Sequence, residues 1–312
     1  ALCLHDTQTQ LIVMSATFAA ERLCEYMTAQ HLQGEGRQYS IHYQYRSGTQ
    51  QDPYSQDLAL RVSTVVDEAF HSHSGDLLVF LPGKREIYQC QKLIEQRLSI
   101  SHPDLEVLAL HASLTLKEQN RILTVTTTAR RIILATNVAE TSLTVPRITV
   151  VIDSGLVRQS RHDKGRSILG LTILAQDSAD QRAGRAGRLQ AGTCYRLWGQ
   201  GCSLQAYTKP EMYRESLLPL VLSALACGVN PSHLTWLDPP HPKAMEHALE
   251  LLNQLGAIDE QGNLNSIGGL LFDIGIDALW GRWLIQAQQD DCLLDMIDLV
   301  SALLCKHHLL LP

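Results

Sequence analysis

The chain has 312 residues, 45% of them hydrophobic and 19% charged, with a formal net charge of −6. That length corresponds to about two domains, and the balance excludes a disordered polar chain. No apolar run reaches the ~18 to 20 residues of a membrane helix, no basic n-region precedes an apolar core, and the eight cysteines form no CxxC pair, so we expect a cytoplasmic protein with reduced thiols, no membrane association and no metal site.

In chain order, Leu11–Met14 is a short apolar run ending at Ser15-Ala16-Thr17, and an amphipathic stretch follows to Met27. This pattern predicts strand, turn and helix. Residues 34–37 read as a linker and Tyr39 to Tyr45 as a strand, followed by a helical stretch from Leu58 to Val66. A strand-then-helix rhythm then sets in: strand Leu77–Leu81, a break at Pro82-Gly83, helix Glu86–Leu98, strand Val107–Leu110, helix Lys117–Val125, and strands Ile132–Ala135, Ile148–Ile152 and Thr193–Trp198. Continuous apolar strands alternating with helices predict a parallel sheet covered on both faces, an α/β fold whose ligands sit at the carboxyl ends of the strands. After about residue 205 the pattern turns helical. Leu217–Gly228 and Pro242–Leu255 are predicted helices, 257–265 a small hairpin with a Gly-bearing turn, and the chain from Ile267 onward helical again.

Charge is unevenly spread. From Arg158 to Arg188 there are seven Lys/Arg against three acids. On charge alone this is either a phosphate-binding surface or a solvated basic face. Within it lies Gln181-Arg182-Ala183-Gly184-Arg185-Ala186-Gly187-Arg188. Three arginines at spacing three are expected on one side of a helix or helix start, with two glycines admitting other backbone between them. Such a set suits a transferring γ-phosphoryl group, or else is a solvated helix end. Directly after the strand Ile132–Leu134 comes Ala135-Thr136-Asn137-Val138-Ala139-Glu140-Thr141-Ser142-Leu143-Thr144. Its hydroxyls, amide and backbone N–H groups at a strand end can hold a phosphate backbone without reading bases, or simply cap a helix.

These two segments resemble motifs VI and V of the DEAH-box helicases of superfamily 2, in particular the bacterial HrpB type. Ser15-Ala16-Thr17 resembles motif III, Phe80 to Ile87 motif IV, and Leu110-His111-Ala112-Ser113-Leu114 the loop that follows it. The resemblance runs in order along essentially the whole chain and implies a RecA-like second helicase lobe at 38–205. It further implies a remnant of the first lobe at 1–37, a winged-helix-like domain at 206–265 and the start of a helical bundle at 266–312. It implies that Gln181 positions the attacking water and that Arg185 and Arg188 face the γ-phosphate. Ser15, Thr17, Arg182 and Gly184 take nucleotide-binding or coupling roles. Thr136, Asn137, Thr141, Gly83, Arg85, Arg158 and Arg161 contact single-stranded RNA or DNA. Two positions depart from the family's pattern: Leu123 stands where many members carry an adenine-stacking Phe, and Pro146 where some carry an Asp facing the nucleotide.

The 312 residues contain no GxxxxGK[ST] loop. Asp67-Glu68-Ala69-Phe70-His71 follows a helical stretch instead of an apolar strand, so its acids are read as helix-surface groups. The resemblance therefore implies that ATP with Mg2+ is held jointly with a first lobe that supplies the P-loop and the metal-holding carboxylates. The chain lacks an initiator Met, and we expect a piece of a longer protein that hydrolyses no ATP by itself. The strand at 11–14 is then expected to lack its sheet partners and to be poorly ordered or repacked. A second class of function, a non-catalytic nucleic-acid or protein-binding adaptor, is separated from the motor by whether a P-loop lies upstream.

Overall fold

The structure is a computed structural model and describes residues 11–14, 20–34, 39–48, 51–124, 128–140, 145–163 and 166–304. Ser15, Thr17 and Thr141 lie outside the described residues. The chain divides into two compact units, residues 1–159 with 169–208, and 160–168 with 209–312.

The first unit is built on six parallel strands: β1 (Ile41–Tyr45), β2 (Asp76–Phe80), β3 (Glu106–Leu110), β4 (Arg131–Ala135), β5 (Ile148–Asp153) and, later in the chain, Gly192–Arg196. A two-stranded hairpin, β6 (Leu156–Asp163) and β7 (Arg166–Ile173), lies between, which makes the last strand β8. The sheet order is β1-β8-β5-β2-β4-β3. Helices α1 (Ala20–Met27), α2 (Leu58–Ser72), α3 (Lys84–Leu98), α4 (Leu116–Leu123) and α5 (Gln176–Ala183) complete the unit.

The apolar strands are continuous because both faces are covered, and the period-two alternation divides them between two cores. Leu77, Val79, Ile132, Leu134, Val150 and Ile152 pack on one face with Val62, Val66 and Phe70 of α2 and Ile87, Cys90 and Ile94 of α3. Leu78, Phe80, Ile133, Ala135 and Val151 pack on the other with Ile122 of α4, Ala139, and Ala183 and Ala186 around the end of α5. The Thr115-x-x-Glu118 signal makes a reciprocal capping box at the start of α4: Glu118 N–H donates to Thr115 Oγ1, and Thr115 N–H donates to Glu118 Oε2 at 2.7 Å.

Three sequence expectations for this unit are corrected. Residues 11–14 form no strand. All four side chains are exposed, Met14 at 87%. A strand needs a ladder partner, and none of β1 to β8 pairs with it. The segment opened by Thr136 begins as a single 3-10 turn, Asn137–Ala139. The three arginines of 182, 185 and 188 do not share a helix face, because α5 ends at Ala183.

In the second unit, α6 (Leu218–Ala226), α7 (Pro242–Gln254), α8 (Ser266–Ile274), α9 (Ala278–Gln289) and α10 (Leu293–Leu304) follow in order. One core runs from Leu217 through Met245, Leu252 and Leu271 to Ile285. The expected hairpin at 257–265 reduces to a single antiparallel bridge, Ile258 to Leu264. Asp259 Oδ1 accepts from the N–H groups of Gln261 and Asn263, which tightens the turn, and α8 starts at Ser266 before a ladder can extend. Among the described residues no helix is long and apolar enough to cross a membrane.

Candidate nucleotide and nucleic-acid site

Tyr45, Arg196, Asp153, Phe80, Ala135 and Leu110 lie in one row across all six strands, at their carboxyl ends. The ladder runs one residue further: Ser154 N–H donates to Phe80 O, Leu81 N–H to Ala135 O, and Thr136 N–H to Leu110 O. The loops that leave this row after β2 and β4 carry the candidates Gly83, Thr136 and Asn137. Parallel strands bring them together because every strand ends at the same edge.

At the end of β2, Gly83 caps α3. A Cβ there would lie 2.7 Å from Arg158 Nε, so glycine lets the hairpin base approach. Arg158 Nη2 donates to Glu86 Oε1 at 2.9 Å, tying β6 to the first turn of α3. Arg85 is exposed two residues beyond the cap. At the end of β4, Thr136 is half-buried and Asn137 exposed. Arg161 is also exposed and belongs to the hairpin tip, which groups with the second unit.

The arginine segment is set by two acids that sequence reading did not single out, one buried and one half-buried. Asp153 ends β5 and is fully buried. Glu140 follows the 3-10 turn. Arg182, 1% exposed, donates from Nη1 to Asp153 Oδ1 and from Nε to Glu140 Oε2, both at 2.9 Å, with Phe80 beneath its guanidinium at 5.0 Å. Burial by itself would lower its pKa, and Asp153 and Glu140 together outweigh that and raise it. Ser178 Oγ donates to Glu140 Oε1 at 2.6 Å. A signal for Asp153 existed in the sequence: an acid closing the apolar run Ile148–Ile152 needs a buried cation.

Past α5 the chain makes i-to-i+3 turns, Arg185 N–H to Arg182 O and Ala186 N–H to Ala183 O. Arg185 is buried and its Nη2 donates to the main-chain oxygen of Glu140. Arg188 is exposed, and Gln181 is half-buried on the last turn of α5. Burial, then the charge of Arg188, push the Arg185 guanidinium down to about 10, and burial lowers Arg188 as well. Both remain cations at neutral pH. Of the two glycines, Gly187 is the close approach, since a Cβ would lie 2.8 Å from Tyr39 O. Gly184 has an ordinary right-handed conformation.

The remaining positions are accounted for. Leu123 packs on the second core, and the oxygens of its neighbour Ile122 and of Pro146 both accept from Arg131, at the amino end of the sheet. Glu68 pairs with Arg46, and Asp67 lies 3.6 Å from His71 on the surface of α2.

A six-stranded parallel sheet covered by helices on both faces is the architecture of a RecA-like C-terminal helicase lobe. The helicase conserved C-terminal domain family matches residues 61–190. ATP-dependent RNA helicase HrpA of Escherichia coli (strain K12) is 34% identical over 306 residues, which cover 94% of this chain and 23% of that protein. ATP-dependent RNA helicase DEAH12, chloroplastic, of Arabidopsis thaliana is 34% identical over 291 residues, 88% of this chain and 16% of that protein. Two solved structures are similar at 30% identity: the Escherichia coli DEAH/RHA helicase HrpB, with TM-score 0.84 over 95% of this chain and 38% of that one, and the E. coli DExH-box NTPase HrpB, with TM-score 0.80 over 95% and 36%. Residues 61–190 thus carry a helicase conserved C-terminal domain, and the chain as a whole is similar to helicases of the HrpA and HrpB type. It spans less than a quarter of the length of the curated relatives it matches.

Proposed function

We propose that this chain is the part of an ATP-dependent RNA or DNA helicase that supplies the arginine fingers and one side of the nucleic-acid track. The observation that carries this reading is the pair Arg185 and Arg188. Their pKa values are depressed by burial and, at Arg185, by mutual repulsion. A polyanion such as the ATP phosphates relieves both costs, which is what the residues present require of a ligand.

In this reading Arg185 and Arg188 face the γ-phosphate, Gln181 positions the attacking water, and Arg182 with Gly184 acts structurally to fix the finger segment. Ser15 and Thr17 couple the nucleotide to the track. Thr136, Asn137 and Thr141, with Gly83, Arg85, Arg158 and Arg161, hold the backbone of single-stranded RNA or DNA. ATP with Mg2+ is shared with a first RecA-like lobe, of which 1–37 is the remnant. Residues 206–265 form a winged-helix-like domain and 266–312 begin a helical bundle. The chain alone hydrolyses no ATP, and the whole protein is cytoplasmic.

The test is ATPase turnover of the full-length protein with and without single-stranded RNA and DNA. Arg185→Ala is expected to lower stimulated turnover by about 10³-fold or more. Turnover indifferent to this change, or no turnover in the wild type, would favour the adaptor reading instead.

A further inference from the structure

We infer that Glu140 is the positioning residue that sets where Arg185 reaches, an inference resting on the finger reading above. Glu140 is bonded in three directions. Its N–H donates to Asn137 O at 2.9 Å, closing the turn at the end of β4. Its carboxylate is used at both oxygens by α5, at 2.6 Å from Ser178 Oγ and 2.9 Å from Arg182 Nε. Its main-chain oxygen accepts from Arg185 Nη2. The side chain thus clamps the strand-end turn to α5, while the main chain offers Arg185 an acceptor whose position follows the turn.

Arg182 cannot take the finger's place, because it is 1% exposed and aimed at two carboxylates. Asp153 stays with Arg182 when Glu140 is replaced, so the buried guanidinium keeps a counter-charge and the fold survives the change. What is lost is the clamp. The turn that carries Thr136 and Asn137 is then free to shift against α5, and the acceptor of Arg185 shifts with it.

The experiment is a double-mutant cycle in the full-length protein, combining Glu140→Ala with Arg185→Ala. It reads kcat and the KM for ATP with saturating single-stranded RNA, together with the thermal midpoint. Glu140→Ala alone is expected to lower kcat by about 10- to 100-fold, as misplacement of a reacting group does, with KM within about twofold. In the Arg185→Ala background it is expected to lower kcat no further. Fold-losses that multiply overturn the inference, because Glu140 then acts independently of Arg185. So does a Glu140→Ala kcat within about twofold of wild type. If Arg185→Ala itself leaves turnover unchanged, it is the finger reading that has failed. Should Glu140→Ala unfold the protein, the same cycle is run with Glu140→Gln. That side chain keeps an acceptor for Arg182, and the same non-additivity is expected on a smaller loss.

Discussion

The sheet carries a buried arginine–aspartate pair at each edge, and the two differ in how completely they are closed. At the amino edge, Asp76 accepts from Arg131 Nε at 2.8 Å, from Arg131 N–H at 3.0 Å and from Arg147 at 3.4 Å. Arg131 spends its other nitrogens on Ile122 O and Pro146 O. At the carboxyl edge, Arg182 holds Asp153 and Glu140, but Asp153 Oδ2 is buried without a partner. Asn137, in the turn after β4 that leads to Glu140, is exposed. A closed network has nothing left to offer a ligand and serves stability. An incompletely satisfied one beside exposed polar groups is where a fold stores capacity to rearrange.

The largest effect is expected where the closed network is broken. Arg131→Ala leaves the buried Asp76 with Arg147 at 3.4 Å as its remaining ion-pair partner, and we expect a loss of about 3 kcal/mol. Urea unfolding should show the midpoint falling at unchanged m. A loss under about 1 kcal/mol would mean that the amino edge is no more rigid than a surface ion pair.

Asp153→Asn is the matched test at the other edge. Arg182 keeps Glu140, and Asp153 Oδ2 has no bond to lose, so the expected cost is smaller, about 1 to 2 kcal/mol. Equal costs for Asp153→Asn and Asp76→Asn would erase the distinction between the edges.

How far the sequence made this legible follows from range. The parallel sheet and most helices could be read, because continuous runs such as Ile132–Ala135 and the stripe along α2 are local signals. The places of Gly83, Thr136 and Asn137 just beyond β2 and β4 were legible, because each follows closely on an apolar run. The partners were not: Asp153 and Arg182 are 29 residues apart and Glu140 and Arg182 are 42 apart, and no periodicity reports a pairing at that distance. The one-face expectation for the three arginines failed because spacing cannot show that α5 stops at Ala183. The strand at 11–14 failed because apolar character does not supply a ladder partner.

A third effect separates the edges by ligand instead of stability. Arg85 at the carboxyl edge is proposed to meet phosphate, and Arg147 at the amino edge is not. Arg85→Gln should weaken binding of single-stranded RNA and reduce the slope of log K against log salt by about 0.7, one phosphate contact on a single strand. Arg147→Gln should leave the slope unchanged. Equal slopes in both variants would move the track away from the strand ends.

The smallest effect is a titration at the carboxyl edge. His111, one residue beyond β3, is 3% exposed. Its Nε2 lies 3.3 Å from Tyr88 Oη, and its Nδ1 is buried without a partner. Burial, then the charge of Lys84, lower its pKa below the ordinary 6.5, while Glu118 opposes. A histidine whose folded pKa is depressed takes up its proton more readily when unfolded, so folding draws on its neutral form. That contribution is complete above pH 6.5 and is lost as the pH falls from there toward the depressed folded value. The urea midpoint should therefore decline from pH 7.5 to 5.5 more steeply in wild type than in His111→Gln, which cannot titrate. A parallel decline in the two proteins would show that the proton is taken up elsewhere, with His73 the next group to test, since burial and Arg130 depress it at the amino edge.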